Sequence, residues 1–205
     1  MMNPESFNQR LIQRFGAFQP EVISIDKPRA AVLVPLVLSP EPSVLLTVRA
    51  SHLNSHPGQV SFPGGMFELE DASLIDTALR ETFEEIALPK HQISVVGQLS
   101  TAFSKDGVQV YPIVGTLPHA ENSKANPDEI AEIFSVPWSY FVTQPPELQK
   151  IDRHGISFEI PHYYYEGRHI WGLTAMILLE LINLVEDTQW PVPDFSKATR
   201  PGETP

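Results

Sequence analysis

The first part of the chain alternates between helix-like and strand-like patterns of apolar residues. Residues 4–16 place aromatic and aliphatic side chains at helical spacing, and Gly16 is expected to end that helix. Two apolar, β-branched runs follow at 30–38 and 43–49, separated by a short segment rich in proline and serine. This pattern predicts two strands joined by a turn.

The next elements lie between residues 58 and 89. The run at 58–62 predicts a short strand, and the Pro-Gly-Gly sequence at 63–65 predicts a turn that ends it. A helix is expected to begin with Ser73 as its N-cap, because a serine hydroxyl accepts hydrogen bonds from unpaired first-turn amides. It is expected to end near Ile86, since Pro89 lies just beyond.

The second half of the chain continues the same alternation. Residues 93–99 and 108–117 predict strands joined by a polar turn at 104–107, and a hairpin is expected around Glu166 and Gly167. Residues 173–185 are apolar on nearly every side, which predicts a buried helix. The sum is a single α/β domain: a mixed β-sheet with helices on both faces.

Composition limits the partners, the metal-site chemistry and the cellular location that can be expected for this domain. Fourteen Lys and Arg against 25 Asp and Glu give a formal charge of −11, which argues against nucleic acid or an anionic membrane as partner. No cysteine is present, so disulfides and thiolate metal sites are excluded. No apolar run approaches the length of a membrane span, and the first residues do not resemble a signal peptide. We therefore expect a cytoplasmic protein.

The predicted helix at 73–86 concentrates negative charge. At 100° per residue, Glu85 and Glu84 fall within about 60° of Glu81, with Arg80 beside them. The opposite side carries an apolar stripe, which predicts the face that packs on the core: Ile75, Leu79, Phe83 and Ile86. Such a carboxylate cluster is either a solvated helix face or a site for a hard divalent cation, which favours oxygen ligands. The glycine turn and acidic loop just upstream favour the cation site.

The segment GGMFELEDASLIDTALRETFEEIAL resembles the signature of the Nudix hydrolases, whose pattern is G-x5-E-x7-R-E-U-x-E-E-x-G-U, with U a bulky apolar residue. The RETFEE core matches at residues 80–85. One extra residue lies between Gly65 and Arg80, so Glu70 and Asp71 are alternatives for the upstream acid. Thr82 and Ala87 also depart from the pattern, but neither departure removes a carboxylate. The resemblance implies a Nudix-type α/β/α sandwich.

The preceding segment LLTVRASHLNSHPGQVSFPGG resembles a motif of the coenzyme A pyrophosphatase subfamily, L-L-T-x-R-[SA]-x3-R-x3-G-x3-F-P-G-G. Asn54 stands where that motif has its second basic residue. An amide cannot supply the charge with which a guanidinium pairs with a phosphate. This departure concerns the substrate and leaves the reaction class unchanged.

The resemblance implies hydrolysis of the pyrophosphate bond of coenzyme A or acyl-CoA. The products would be adenosine 3′,5′-bisphosphate and 4′-phosphopantetheine or its acyl form. Mg²⁺ or Mn²⁺ would neutralise the phosphates and activate water. The predicted catalytic residues are Arg80, Glu81, Glu84 and Glu85, and the predicted metal ligands are Glu81, Glu84, Glu85 and the Gly65 carbonyl. The predicted substrate-binding residues are Arg49, His56, Gln59 and Phe62.

Several alternatives stay open at the level of sequence. The general base is one of four acids: Glu68, Glu70, Asp71 or Glu129. The substrate could instead be another nucleoside diphosphate derivative, such as ADP-ribose or NADH. A different class of protein, a nucleotide-binding Nudix module without turnover, is disfavoured because all three helix glutamates are present. The predicted domain limits are a helical lead-in at 1–28, the Nudix domain at 29–188 with its signature at 64–88, and a flexible tail at 189–205.

Overall fold

A computed structural model of the chain describes residues 2–153 and 156–192. It contains four α-helices: α1 (Pro4–Ala17), α2 (Leu74–Ile86), α3 (Trp138–Thr143) and α4 (Gly172–Glu186). The strands are β1 (Arg29–Val37), β2 (Ser43–Arg49), β3 (Val60–Ser61), β4 (Gly64–Met66), β5 (Ser94–Gln98), β6 (Ala102–Phe103), β7 (Gln109–Leu117), β8 (Ile130–Pro137), β9 (Glu147–Arg153), β10 (Ile156–Tyr165) and β11 (Arg168–Trp171). Helix α1 continues one residue beyond Gly16, the predicted stop.

Strand β1 organises the main sheet, which has eight strands. It runs parallel to β7 along its whole length, from Arg29 opposite Gln109 to Val37 opposite Leu117. On its other edge it pairs antiparallel with β4 at its beginning and with β2 at its end. Strands β3 and β8 extend the sheet beyond β2, and β5 and β6 pair with β7. The prediction of a mixed sheet within an α/β fold is confirmed.

The two faces of this sheet pack into separate hydrophobic clusters. Alternate residues of β1 point to opposite sides, as the period of a strand requires: Val34 and Leu36 belong to one cluster, and Leu33 and Val37 to the other. The larger cluster contains buried residues of α1, α3 and α4, and the smaller one contains buried residues of α2. Helices therefore cover both faces, as predicted.

The last three strands of the domain form a second, antiparallel sheet. Strands β10 and β11 form the predicted hairpin, with Tyr165 opposite Arg168 across the turn. Strand β9 was not predicted, because its sequence, ELQKIDR, alternates too little between polar and apolar residues to indicate a strand. It pairs with β10 from Glu147 opposite His162 onward.

The prediction of a turn at 63–65 is wrong. Gly64 and Gly65 lie in strand β4, where they pair with Val32 and Ala31 of β1. A Cβ atom on Gly64 would lie 2.4 Å from the Ala31 carbonyl oxygen and 2.6 Å from the Val32 Cα. The glycine is therefore required by the close approach of two backbones in a sheet.

Most of the predicted tail lies outside the described residues. Within 189–192, Trp190 is half-buried, and both its backbone N–H and its carbonyl hydrogen-bond the side chain of Asn183 on α4. Within the described ranges, no helix combines the length and apolar character needed to cross a membrane.

Candidate active site

Helix α2 has the predicted limits. Ser73 caps it by accepting a hydrogen bond from the Asp76 backbone N–H at 3.2 Å, and Ala87 takes up the left-handed conformation just after Ile86. These two local signals fix the start and end of the helix. The residues at its two ends therefore determine the limits of the helix that carries the three glutamates.

The face of α2 that packs on the sheet matches the predicted one only in part, since Ile86 is buried and Leu79 packs against the smaller cluster. Ile75 and Phe83, two members of the predicted apolar stripe, are 40% and 56% exposed. The buried face consists of Thr77, Ala78, Thr82, Glu85 and Ile86. Small side chains allow the helix to approach β1 and β4 closely, which buries one glutamate and leaves part of the stripe in solvent. The prediction that the carboxylates face away from the core is therefore wrong for Glu85.

Arg80 is the hub of the acidic cluster. Its guanidinium donates to Glu81 Oε1 at 3.0 Å and to Glu84 Oε2 at 3.1 Å. It also donates to the Met66 carbonyl at 3.1 Å and to both oxygens of Asp71, at 2.9 and 3.1 Å. One residue thus ties the helix to β4 and to the acidic loop. Arg80 is therefore placed to orient these carboxylates by pairing with them.

Asp71, rather than Glu70, is the acid of the upstream loop that pairs with Arg80. Its side chain is 4% exposed, and its carboxylate also accepts from Thr77 Oγ1 at 2.8 Å and from the Glu68 backbone N–H at 3.0 Å. The hydrogen bonds from Arg80 hold the pKa of Asp71 well below its usual range. Glu70 is exposed. A carboxylate so strongly stabilised in its ionised form is a poor proton acceptor, which argues against Asp71 as the base.

Replacing Asp71 with Asn should lower the free energy of unfolding at neutral pH by about 3 kcal/mol, because Arg80 loses a buried, bidentate partner. The folded-state pKa lies below the ordinary value of 3.8, so the ion pair stabilises the fold above that pH and is lost as pH falls below it. Urea unfolding between about pH 7 and pH 2 should therefore show a flatter acid limb in the variant. Glu70→Gln is the control, and an equal loss in both variants would contradict the assignment.

Glu85 is the most deeply buried acid of the cluster, with 2% of the residue exposed. Its carboxylate accepts a hydrogen bond from the Gly64 backbone N–H at 3.2 Å and lies 3.9 Å from the Arg49 guanidinium. Burial raises its pKa to about 8, although the Gly64 N–H and Arg49 act in the opposite direction. Positive charge near Glu85 is therefore insufficient to offset its desolvation.

Glu81 packs against Gly65, and its side chain is 15% exposed. A Cβ atom on Gly65 would lie 2.3 Å from the Glu81 carboxyl carbon, so the absence of a side chain there makes room for the carboxylate. Burial raises the pKa of Glu81, with Arg80 opposing the shift and the Glu84 and Glu129 charges adding to it. Gly65 and Glu81, two of the predicted metal ligands, are thus adjacent.

The other candidate bases differ in their relation to this cluster. Glu129, at the start of β8, is half-buried, and its charge raises the pKa of both Glu81 and Glu85. Glu68 is half-exposed and lies 4.0 Å from Arg80. Of the four candidates, only Glu129 acts on both buried carboxylates in this way.

The donor groups of this cluster fit a hard divalent cation. Carboxylate oxygens are the ligands such ions prefer, and the missing side chain at Gly65 lets the Glu81 carboxylate lie against the β4 backbone. Burial raises the pKa of Glu81 and of Glu85 although Arg80 and Arg49 oppose the shifts, so a further positive charge would stabilise both carboxylates. In the described part of the chain, no three His, Asp or Glu side chains are grouped so that they could hold a metal ion, and Arg80 pairs with oxygens of Glu81 and Glu84.

The four predicted substrate-binding residues lie around one cavity of about 310 Å³, next to Glu85: Arg49, His56, Gln59 and Phe62. Gly64, whose N–H reaches Glu85, lines the same cavity. His56 Nδ1 lies 2.9 Å from Gln59 Oε1, so the imidazole donates to the amide oxygen. His56 Nε2 lies 4.0 Å from Asp106 on the turn opposite. Asn54 is exposed and is not among the lining residues.

The far wall of the cavity comes from segments that the sequence did not assign to the site. Ser104 and Lys105 contribute from the β6–β7 turn, and Trp171 and Thr174 from the start of α4. Trp171 continues a stack of rings along the β10–β11 hairpin, 5.8 Å from His169, which itself stacks on Tyr164 at 4.7 Å. The sequence signals for these residues are weak: a lysine in a polar turn and an aromatic residue at the end of a strand.

A family model described as NUDIX domain matches residues 27–156 of the chain. The protein belongs to the Nudix family. It is a hydrolase acting on pyrophosphate bonds, and enzymes of this family generally use divalent metal ions.

Its relatives include an uncharacterized Nudix hydrolase NudL from Yersinia enterocolitica, which is 42% identical over 178 residues, covering 85% of this chain and 91% of the relative. NudL from Photorhabdus laumondii is 41% identical over 168 residues, covering 82% and 90%. A crystal structure of a MutT/nudix family protein from Enterococcus faecalis superimposes with a TM-score of 0.51 at 18% identity, covering 91% of this chain and 75% of that one. That similarity supports the fold alone.

Proposed function

We propose that this Nudix hydrolase cleaves the pyrophosphate bond of coenzyme A or acyl-CoA, giving adenosine 3′,5′-bisphosphate and (acyl-)4′-phosphopantetheine. The observation that carries the proposal is the position of Arg49. This residue belongs to the segment that resembles the coenzyme A motif, lines the cavity and lies 3.9 Å from Glu85. The motif and the acidic helix thus contribute to one continuous site.

The cavity offers chemistry suited to a nucleotide with an apolar arm. Phe62 and Trp171 provide aromatic surface, Val32, Val60 and Leu173 provide apolar surface, and Arg49 provides positive charge. A pyrophosphate placed at the Gly64 end would lie against the α2 carboxylates. Because those carboxylates repel a diphosphate, the proposal includes Mg²⁺ or Mn²⁺ held by Glu81, Glu85 and the Gly65 carbonyl, with Glu84 assisting. When bound, the ion supplies Lewis-acid stabilisation of the phosphate charge.

The chain's own residues would prepare the reaction. Arg80 fixes the rotamers of Glu81 and Glu84, and the Gly64 N–H fixes Glu85, so the acidic groups are oriented before substrate arrives. In the hydrolysis, a water oxygen forms a bond to one phosphorus while the bridging P–O bond breaks. Glu129, whose charge acts on both Glu81 and Glu85, is the acid we assign to accept the proton from that water.

The proposal is tested by incubating the purified protein with coenzyme A, ADP-ribose or NADH, with Mg²⁺ or Mn²⁺, and identifying the products by mass spectrometry. We expect adenosine 3′,5′-bisphosphate and 4′-phosphopantetheine from coenzyme A, and no turnover in EDTA. Turnover of ADP-ribose or NADH with coenzyme A left intact would favour the other Nudix pyrophosphatases. Binding of a nucleotide without any product would favour the non-catalytic module.

A further inference from the structure

A second cavity, of about 610 Å³, lies between α4, β6 and the segment that leads into β1. The apolar part of its lining consists of Ile23, Ala102, Phe103, Met176, Ile177 and Val192. Phe103 and Val192 are 39% and 62% exposed, so this apolar cavity presents hydrocarbon surface to solvent. Concave apolar surface of this extent is suited to an apolar ligand.

The polar groups in the lining of the apolar cavity are paired within the protein. The Ser100 backbone N–H donates to Glu180 Oε1 at 3.1 Å, and Ser100 Oγ accepts from the Glu21 backbone N–H at 3.1 Å. Thr101 Oγ1 accepts from the Ile23 backbone N–H at 3.2 Å. These bonds hold the lead-in segment and α4 against the chain just before β6. A ligand in this cavity would therefore contact mainly apolar side chains.

Helix α4 lines both the apolar cavity and the active-site cavity of about 310 Å³. Leu173 lines the active-site cavity, and Met176, Ile177 and Glu180 line the apolar cavity. The four residues are spaced i, i+3, i+4 and i+7, which places them on one stripe of the helix. At 1.5 Å per residue this stripe is about 10 Å long. One face of α4 thus runs from the active-site cavity along the apolar cavity.

The chain around β6 also lines both cavities. Ala102 and Phe103 line the apolar cavity, and Ser104, the next residue, lines the active-site cavity. Consecutive Cα atoms are only about 3.8 Å apart, so the two linings meet here without an intervening element. The two cavities therefore follow one another in the same order along α4 and along the β6 segment. They form two parts of one cleft between these elements.

We propose that the apolar cavity binds the acyl chain of acyl-CoA, so that the enzyme prefers acyl-CoA with a medium-length chain over acetyl-CoA and free coenzyme A. This inference rests on the proposed function and adds a substrate preference to it. The acyl group is attached at the end of the pantetheine arm, remote from the pyrophosphate. With the pyrophosphate beside Gly64, the cleft offers that arm a path past Leu173 and Ser104 into the apolar cavity. Because the chain takes no part in bond cleavage, its burial should lower KM and leave kcat similar.

The experiment measures KM and kcat for free coenzyme A, acetyl-CoA and hexanoyl-CoA in the wild type, Met176→Gln and Leu184→Gln. Each fully buried methylene raises affinity about fourfold, so the wild-type KM for hexanoyl-CoA should be about 10- to 100-fold below that for acetyl-CoA. Met176→Gln places a polar group in the apolar cavity and should reduce this KM ratio by about 10-fold. Thermal unfolding establishes that each variant is folded.

Leu184→Gln is the matched control, since Leu184 is a half-buried apolar residue of the same helix and lines neither cavity. It should keep the wild-type KM ratio even where it lowers stability. Equal KM values for acetyl-CoA and hexanoyl-CoA in the wild type, with both hydrolysed, would overturn the inference and leave the proposed function standing. An unchanged KM ratio in Met176→Gln would also overturn it. Wild-type protein that hydrolyses none of the three compounds would refute the coenzyme A function itself, and this inference with it.

Discussion

Glu85→Gln should lower kcat by about 10²- to 10³-fold or more while leaving the protein folded. The amide keeps the shape of the side chain and an oxygen that can accept from the Gly64 N–H. It removes the negative charge at the centre of the acidic cluster, and loss of one preorganised electrostatic group typically has an effect of this size. The measurement is steady-state hydrolysis in Mg²⁺ or Mn²⁺, with thermal unfolding as the test of structure.

The thermal stability of the variant distinguishes a catalytic role for Glu85 from a structural one. Burial raises the pKa of Glu85 to about 8, so the ionised side chain is unfavourable in the metal-free fold. We therefore expect metal-free Glu85→Gln to unfold at the same temperature as wild type or higher. Glu121→Gln, at an exposed glutamate outside the cavity, is the control and should change neither property. Full activity in Glu85→Gln would remove the proposed role of this carboxylate.

Gly65→Ala should reduce kcat by about 10²-fold with little loss of stability. The added Cβ would lie 2.3–2.6 Å from three atoms of the Glu81 carboxylate, well inside van der Waals contact. The carboxylate is the far end of a flexible side chain, so it can move away by about 1 Å without disturbing the fold. A displacement of that size at a catalytic group is enough for a loss of this magnitude. Activity and thermal unfolding are measured on the same preparation.

Gly16→Ala is the matched control for this substitution. A Cβ there meets no atom within 4 Å, and Gly16 lies near the end of α1, far from the acidic cluster. It should leave activity unchanged and raise helix stability slightly. If Gly65→Ala retained wild-type kcat, the position of Glu81 would not matter for the reaction, and the assignment of Glu81 as a metal ligand would fail.

Elements with strong local signals could be predicted from the sequence. Helix α2 follows from Ser73 at its start and Pro89 after its end, and β1 and β2 follow from their dense β-branched content. Strand β9 could not be predicted, because its place in the small sheet depends on pairing with β10 rather than on its own pattern. Pairing of this kind is decided by tertiary structure.

The orientation of α2 shows that the apolar stripe of a helix does not always mark the face that packs on a sheet. The apolar stripe of Ile75 and Phe83 is the obvious packing face, yet both residues are largely exposed. Ala78 and Thr82 pack on the sheet instead, because a close approach of the helix to the sheet requires small side chains more than apolar ones. Likewise, two adjacent glycines usually indicate a turn, but Gly64 lies in a strand because another backbone passes within contact distance. Neither the buried face of α2 nor the strand at Gly64 can be inferred from the neighbouring sequence alone.

Only part of the candidate site could be predicted from the sequence. Residues near one another in the chain, such as Arg49 and Gln59, could be grouped by a motif and do line one cavity. Trp171 and Lys105 line that cavity from segments that lie 40 or more residues after Gly65, the last residue of the motif. The choice between Glu70 and Asp71 likewise required the position of Arg80 in three dimensions.

The separation of the domain into two hydrophobic clusters has a consequence for how the protein tolerates change. The acidic helix is anchored in the smaller cluster, whereas α1 and the body of α4 are anchored in the larger one across the sheet. Mutations that repack α1 can alter global stability while leaving the geometry of the glutamates intact, since no side chain is shared between the two clusters. Substitutions in α1 are therefore expected to change thermal stability more than activity.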